Sequence, residues 1–297
     1  MKKWIFLLGV VVAMGTGCSQ GTKSDKAQSA PDAVNAQVVD NPGADDADIK
    51  QQQNNNKEED QAMPDKQAVP DAFGYMVDTF KTKSGKTVSL HCIKHGSLRL
   101  EYDGLEFEVD PVLNLNDKKT DYAAFPDADY ILVTHEHFDH LDAEAIKALE
   151  KDQTVLITNQ SCASKLGKGD VMSNGDVRSL RDDIQIEAVA AYNTTPGHEQ
   201  FHPKGRDNGF VLTLDGFRIY IAGDTEDIPE MANIRDIDVA FLPCNQPYTM
   251  TVKQLVHAVE MLQPKVLFPY HYSDTSMDDV VAAMKDSRID LRIRDYQ

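Results

Sequence analysis

The sequence predicts an α+β fold, a four-layer αββα sandwich in which two sheets pack face to face with helices outside them. From residue 75 onward, short apolar segments alternate with tight turns such as Ser84-Gly85 and Asp103-Gly104, which is typical of an antiparallel sheet. Strand-like and helical segments then alternate, and the second half of the chain again has several strand-like segments followed by helical ones. Two β-rich halves that each carry helices indicate the sandwich.

The individual elements follow from local patterns. Residues 130–133 predict a buried strand, and LDAEAIKALE predicts a short helix because acids stand in its first turn and its apolar residues have helical spacing. TVLITN predicts another strand. In the second half we expect strands near 184–190 and in GFVLTLDG, FRIYIAGD, DVAFLPC and KVLFPYHY. Helices are expected near 226–233, over 252–262 and from Met277.

The amino terminus resembles an export signal. MKKWIFLLGVVVAMGTGC has two lysines before an apolar run and small residues before Cys18, which predicts a signal peptide over residues 1–17. Cys18 is the expected lipid attachment site of a bacterial lipoprotein, although Gly15 stands where such signals usually carry Leu. The expected location is therefore a membrane surface facing the periplasm or the cell exterior, held by a lipid anchor. Ordinary secretion with cleavage nearby is the alternative.

Residues 18–72 are expected to form a disordered tether, because they are rich in Asp, Gln, Asn and Lys and poor in aromatic residues. Residues 73–297 are enough for one domain with a sizeable core. The formal net charge of −18 argues against nucleic acid as a partner. Cys92, Cys162 and Cys244 are too widely spaced for a zinc finger and are expected to be core or near-site thiols, or to include one disulfide.

A metal site is predicted by THEHFDHLD, residues 134–142, which holds three histidines and three acids in nine positions directly after a buried strand. His135 and His137 can point the same way in extended backbone, while Asp139 and His140 can face a second position after a turn. Burying four such groups without partners would be costly. Imidazole and carboxylate are ligands of Zn²⁺, Mn²⁺ and Fe²⁺, so one or two such ions, zinc first among them, are the expected cofactor.

Further ligands are expected from later strand ends. Asp224 ends FRIYIAGD, where a carboxylate could bridge two cations, and His271 ends LFPYHY. His198 and His202 lie between them in PGHEQFHPKG. Alone, an Asp after Gly is commonly a turn or cap residue. These residues are candidate metal ligands because they share a position after apolar strands.

THEHFDH, AGDT and PYHY, in this order, resemble the metallo-β-lactamase superfamily. HGSLRLEYDGLEFEVDP before the motif and GFVLTLDGFRIYIAGDTE after it are similar to the branch of ascorbate-6-phosphate lactonase-like hydrolases. The N-acyl-phosphatidylethanolamine phospholipase D enzymes are similar at the same motifs. The resemblance covers residues 75–295 and implies a metal-dependent hydrolase.

The resemblance also implies the roles of the site residues. A first metal would be held by His135, His137 and a histidine from the middle region; a second by Asp139, His140 and His271; and Asp224 would bridge the two.

Asn193 stands where many relatives have a histidine, so His202 is the expected substitute. His198, or a site that lacks this ligand, is the alternative. Asp110 resembles a carboxylate that orients a ligand histidine.

The expected reaction follows from these ligands. A divalent metal lowers the pKa of bound water from about 15.7 to near 7, and the metal-bound hydroxide attacks an ester, lactone or phosphodiester in a small-molecule substrate. Asp139 is the expected catalytic residue, which takes or orients the proton. Tyr248, Lys204 and Asn193 are expected to contact substrate, although Lys204 could equally lie on a solvated loop.

Two other functions remain open: a phospholipase D-like phosphodiesterase that acts on envelope lipids, and a non-catalytic zinc-binding lipoprotein. No oligomeric state is predicted. Among the other histidines, His91 and His257 are expected to be structural, and His95 is expected either to make a structural hydrogen bond or to lie at the rim of the site.

Overall fold

The computed structural model describes residues 68–296. The predicted signal peptide, Cys18 and most of the predicted tether lie outside the described residues. Val69 and Pro70 pair with Val77 and Met76 in a sheet, so the folded part begins a few residues before the expected boundary at residue 73. None of the helices in residues 68–296 is both long and apolar enough to span a membrane.

The first half contains an eight-stranded sheet, a two-stranded ribbon and two helices. The strands are β1 (Val69–Pro70), β2 (Met76–Lys81), β3 (Thr87–Lys94), β4 (Ser97–Tyr102), β5 (Leu105–Val109), β6 (Asn114–Leu115), β7 (Lys118–Lys119), β8 (Ala128–Leu132), β9 (Glu150–Thr158) and β10 (Asp170–Val171), and the helices are α1 (Ala143–Leu149) and α2 (Gln160–Leu166). The sheet order is β1-β2-β3-β4-β5-β8-β9-β10, and β6 pairs with β7 in the ribbon. Strands β1 to β5 are antiparallel, as predicted. Strands β5, β8, β9 and β10 run parallel.

The second half forms a seven-stranded sheet with two helices. Its elements are β11 (Val177–Arg181), β12 (Ile184–Ala191), β13 (Asp207–Leu214), β14 (Phe217–Ile221), β15 (Val239–Pro243), α3 (Val252–Leu262), β16 (Val266–Tyr270), α4 (Met277–Met284) and β17 (Asp290–Leu291). The strands lie in chain order. Strands β11 to β14 are antiparallel, and β14 to β17 are parallel.

The helix predicted near 226–233 is wrong in type, because a 3₁₀ helix forms there over Pro229–Asn233. Ile228, Met231 and Ile234 are buried at every third position, a spacing that suits three residues per turn better than 3.6. Helix α2 was not predicted. Asn159 caps its start by accepting a hydrogen bond from the Cys162 N–H, and Gly167 ends it in the left-handed conformation, which together are a usual helix boundary signal.

The two sheets pack face to face between two layers of helices, which confirms the four-layer αββα prediction. Along β8, Tyr130 belongs to the core between the sheets, whereas Ile131 packs on the other face with the buried side of α1. Along β15, Phe241 lies between the sheets and Leu242 packs with α3. Alternate residues of these strands therefore enter different cores, which explains their nearly continuous apolar sequences. Cys92, Cys162 and Cys244 are buried and free.

A buried ionic contact joins the two halves. Asp78 on β2 of the first sheet accepts hydrogen bonds from Arg292 Nη1 at 2.8 Å and from Arg294 Nε at 2.7 Å. Both arginines follow β17 of the second sheet. Because Asp78 and Arg292 are almost fully buried, removing Asp78 takes a carboxylate from both arginines inside the protein, and Arg292 then keeps only part of its compensation, from Asp290 at 2.9 Å.

We expect Asp78→Ala to lower the free energy of unfolding by about 3–5 kcal/mol, measured by urea denaturation. Lys265→Ala is the control, since Lys265 forms an ion pair of 2.7 Å with Asp238 but is largely exposed, and exposed pairs contribute little to stability. Equal effects of the two substitutions would mean that the contact across the sheets does not stabilise the fold.

Candidate metal centre

Four strand ends bring the predicted metal ligands to one edge of the sandwich. Asp110 follows β5, the 134–140 motif follows β8, Asp224 follows β14, and His271 follows β16. Within each half these strands run parallel, so their carboxyl ends lie at a common edge.

Three residues at this edge have strained backbone. His95, Asp110 and His271 have φ angles of 49°, 45° and 46°, in the left-handed region that non-glycine residues rarely adopt. Such conformations persist where the surrounding structure enforces them and cluster at functional sites. Their occurrence at three residues of one edge therefore supports a functional site.

The first group of side chains consists of His135, His137, His202 and Asp224, whose ligand atoms all lie within 4.8 Å of one another. His137 Nδ1 lies 3.1 Å from His135 Nε2 and 3.2 Å from His202 Nε2. The Asp224 Oδ2 atom lies 3.4 Å from His202 Nε2. Three imidazole nitrogens and one carboxylate oxygen thus converge, as the predicted first set requires.

The second group consists of His95, Asp139, His140 and His271, whose ligand atoms also lie within 4.8 Å of one another. Asp139 Oδ2 lies 3.2 Å from His95 Nε2 and 3.6 Å from His271 Nε2. His95 is an addition to the predicted set, and its ring packs 3.7 Å from that of His271.

Asp224 lies between the two groups. Its Oδ1 atom is 3.3 Å from His140 Nε2, and its Oδ2 atom is 3.2 Å from His271 Nε2, while Oδ2 also approaches His202. This is the position expected of a bridging carboxylate.

The donor set fits divalent cations. Three buried atoms in the centre, His140 Nε2, Asp224 Oδ1 and His271 Nε2, have no hydrogen-bond partner, and an unsatisfied buried polar group costs about 1–3 kcal/mol. A cation between the groups would satisfy all three. Imidazole nitrogen with carboxylate oxygen suits Zn²⁺, Mn²⁺ or Fe²⁺.

The electrostatics of the centre also call for positive charge. Burial lowers the pKa of His135 well below its ordinary value and that of His137 to about 4, so both are neutral and able to bind a cation. Burial would also lower the pKa of His271, but the Asp224 carboxylate raises it to about 9. Burial would raise the pKa of Asp224 itself, but His271 and His140 hold it well below its usual range. Protons on imidazoles thus balance Asp224, and divalent cations would replace them on binding.

Asp110 and Gly96 set the position of His140. Asp110 Oδ2 accepts a hydrogen bond from His140 Nδ1 at 2.8 Å, while the Thr134 N–H and hydroxyl donate to the same carboxylate at 2.7 and 2.6 Å. The other ring nitrogen, Nε2, then faces Asp224, which is the orienting role expected of Asp110. A Cβ atom at Gly96 would lie 2.6 Å from His140 Cε1, so the ring occupies space that only glycine leaves.

The structure brings His202, and not His198, into the first group. His202 is fully buried, and its Nδ1 atom lies 3.1 Å from the Tyr248 carbonyl oxygen, which leaves Nε2 for the centre. His198 is 23% exposed and lies 3.1 Å from Glu226 Oε1. It therefore contacts a carboxylate that belongs to neither group.

Two of the three predicted substrate contacts lie elsewhere. Asn193 is buried and donates from Nδ2 to the Tyr248 carbonyl at 2.8 Å, and its N–H donates to the His202 carbonyl at 2.9 Å, so it holds the segments that position His202. The Lys204 side chain is 64% exposed. Its ammonium group pairs with the Glu230 carboxylate at 2.7 Å and donates to the Tyr192 hydroxyl, which keeps it away from the metal centre. Neither Asn193 nor Lys204 lines the cavity at the metal centre, whereas Tyr248 does.

A cavity of about 700 Å³ opens over the centre, a size typical of small-molecule sites. Residues of both groups line it, among them His137, Asp139, His202 and Asp224. A small molecule in this cavity would therefore reach residues of both groups.

We expect His202→Ala to lose about one zinc ion per chain, since three protein ligands are the usual catalytic arrangement and two would remain with Asp224. His198→Ala is the matched control from the same loop and should keep its zinc. The measurement is zinc content per chain after identical dialysis. Retention of zinc by His202→Ala with loss by His198→Ala would move the ligand four residues upstream.

Comparison with other proteins places this site in a known context. The UPF0173 metal-dependent hydrolase of Archaeoglobus fulgidus is 28% identical over 213 residues, which cover 67% of this chain and 91% of that protein. A metal-dependent hydrolase of Thermococcus kodakarensis is 32% identical over 177 residues, 56% of this chain and 76% of that protein.

A crystal structure from Parabacteroides distasonis, provisionally named a metal-dependent hydrolase, is 56% identical with a TM-score of 0.72, and the match covers 75% of this chain and 100% of that one. Residues 89–271 match the family model described as the beta-lactamase superfamily domain. This match spans more than half of the chain and includes the edge where both groups of ligands lie. The protein therefore belongs to the beta-lactamase superfamily and has the metallo-β-lactamase fold.

Proposed function

We propose that this metal-dependent hydrolase cleaves an ester, lactone or phosphodiester bond in a small molecule, using two divalent cations held side by side, zinc first among the candidates. The observation that carries the proposal is the position of Asp224, whose two oxygens face His140, His202 and His271 at 3.2–3.4 Å beneath an open cavity.

The residues divide between the two cations. His135, His137 and His202 would hold the first, and His140, His271, Asp139 and His95 surround the second. Bound cations at such sites supply a water of lowered pKa and polarise the bond under attack.

Asp139 is the proposed proton acceptor. Its side chain is 19% exposed at the cavity, in contrast to the buried Asp224, and His95 and His271 fix its Oδ2 atom. A carboxylate that is held in place and still open to the substrate side is able to take or orient the proton of an attacking water. Asp110 keeps His140 oriented throughout, because its carboxylate is itself anchored by Thr134.

The second candidate function is a phospholipase D-like activity that cleaves a phosphodiester bond in envelope lipids. Two adjacent cations would suit this reaction, because they can stabilise both the attacking and the leaving oxygen of an in-line displacement at phosphorus. A non-catalytic zinc-binding lipoprotein is disfavoured by the cavity of about 700 Å³ over the centre, because metal storage needs no space for a second ligand.

We expect chelation to abolish hydrolysis and added Zn²⁺, Mn²⁺ or Fe²⁺ to restore it, because in this proposal the attacking water owes its lowered pKa to the bound cations. The assay uses γ-butyrolactone, p-nitrophenyl acetate and bis(p-nitrophenyl) phosphate. Asp224→Ala should lose at least about 100-fold in kcat/KM. Asp227→Ala is the control, as Asp227 bonds the exposed His257 at 2.6 Å outside the cavity.

Hydrolysis that survives chelation would contradict the proposal. Absence of turnover of all three probes by fully metal-loaded protein would favour the non-catalytic alternative.

We further propose that the protein is exported and anchored to a membrane through a lipid on Cys18, on the strength of the amino-terminal sequence pattern. Cys18→Ser should move the protein from membrane fractions to soluble fractions of the cell envelope, because it removes the acyl acceptor. The readout is the distribution of the protein between sedimented membranes and supernatant. If the variant still sediments with the membranes, the lipid-anchor proposal is wrong.

A further inference from the structure

We propose that the substrate carries an apolar group, an alkyl or acyl chain or an aryl ring, beside the bond that is cleaved. This group would pack on an aromatic wall formed by Phe138, Phe201 and Tyr248, which line the cavity next to the metal centre. The inference rests on the proposed function and narrows its substrate class.

The first support is the exposure of these rings. Phe138 is 77% exposed, the largest value among the exposed large hydrophobic side chains of residues 68–296, and Tyr248 is 45% exposed. Phe73 is the one other aromatic residue in that set. Two of the three exposed aromatic rings therefore lie at one cavity, and a clustered exposed apolar surface is typical of a binding site.

The second support is that the wall is held in place relative to the ligands. Phe138 lies between His137 and Asp139 in the chain. The backbone carbonyl of Tyr248 lies within hydrogen-bond distance of both His202 Nδ1 and Asn193 Nδ2. The Tyr248 ring packs edge to face against the Phe201 ring, with the two ring centroids 5.0 Å apart. The position of the wall relative to His202 is thus set by the same contacts that hold this metal-ligand candidate in place.

The third support is the charge of the cavity. Lys165 is the single lysine or arginine among its lining residues, and its ammonium group already contacts the Glu136 carbonyl at 3.2 Å and carboxylate at 3.4 Å. A phosphorylated sugar would need cationic donors for a phosphate remote from the metals. The described lining offers no unpaired lysine or arginine for such a phosphate, and its other polar residues outside the two groups, such as Asn116, Asn245 and Ser273, are mostly neutral. This disfavours a remote phosphate and favours a substituent that packs on the aromatic wall.

When the reactive group lies between the two groups of metal ligands, an apolar substituent of the substrate can pack on the aromatic wall of the same cavity. Binding energy from such a remote group positions the reactive bond and contributes to catalysis. Phe138, the most exposed of the three rings, is the specificity-determining residue that we assign.

The test compares probes that share a reactive centre and differ in one apolar chain: γ-butyrolactone with γ-decalactone, and dimethyl phosphate with methyl octyl phosphate. The proteins are the full chain, Phe138→Ala, and Val281→Ala as a control, because Val281 is an exposed apolar residue on α4 that does not line the cavity. Binding of methylphosphonate and octylphosphonate to metal-loaded protein is measured by calorimetry in parallel. Metal content is measured for each variant.

We expect the wild-type chain and Val281→Ala to prefer the long-chain probe by at least about tenfold in kcat/KM and in affinity, the lower range for burial of a few methylenes. Phe138→Ala should lose most of that preference, read as the ratio of kcat/KM between long and short probes, while its metal content stays unchanged. Equal treatment of short and long probes by the wild type, or an unchanged preference in Phe138→Ala, would overturn the inference. If no probe is turned over, the proposed function fails, whereas the phosphonate affinities still decide whether the wall binds an apolar chain.

Discussion

The buried carboxylate of Asp224 is the element on which the rest of the centre depends. It lies at the base of the cavity with His140 and His271 on one side and His135 and His202 on the other. A carboxylate in a protein interior is stable only when positive charge and hydrogen-bond donors surround it. Here the surroundings are imidazoles whose nitrogen atoms face the carboxylate from both sides, so a divalent cation on each side would satisfy the carboxylate and the imidazoles together.

The fold makes this arrangement possible by bringing strand ends close together. Gly223, with φ of 64°, directly precedes Asp224, and a Cβ atom there would lie 2.8 Å from the Asn208 carbonyl oxygen and 3.2 Å from Thr134 Cβ. The end of β14 in the second sheet therefore packs directly against the start of the histidine motif in the first. Gly96 gives the same close approach between the turn after β3 and the ring of His140. Both glycines act through the space that they leave rather than through any chemistry of their own.

The sequence predicts the strands and the ligands at their ends, but not the contacts that depend on how loops fold. Strands buried on both faces have continuous apolar sequences, and polar residues at their ends stand out, which is how the 134–140 motif, Asp224 and His271 were recognised. His95 was harder to place, because it follows a strand without a neighbouring ligand in the sequence, and its proximity to Asp139 arises only from sheet packing. For Lys204 the sequence leaves open substrate contact or a solvated loop, and the structure shows the second, where Glu230, 26 residues later, binds its ammonium group. Such pairings depend on loop conformation, which periodicity does not encode.

The central claim is that two cations flank Asp224. The most direct measurement is anomalous X-ray diffraction from crystals of the zinc-loaded protein, recorded on both sides of the zinc absorption edge. We expect two peaks about 3.5–4 Å apart, one beside His135, His137 and His202 and the other beside His140 and His271, with Asp224 between them. A single peak, or a peak coordinated by His198 and Glu226, would contradict it.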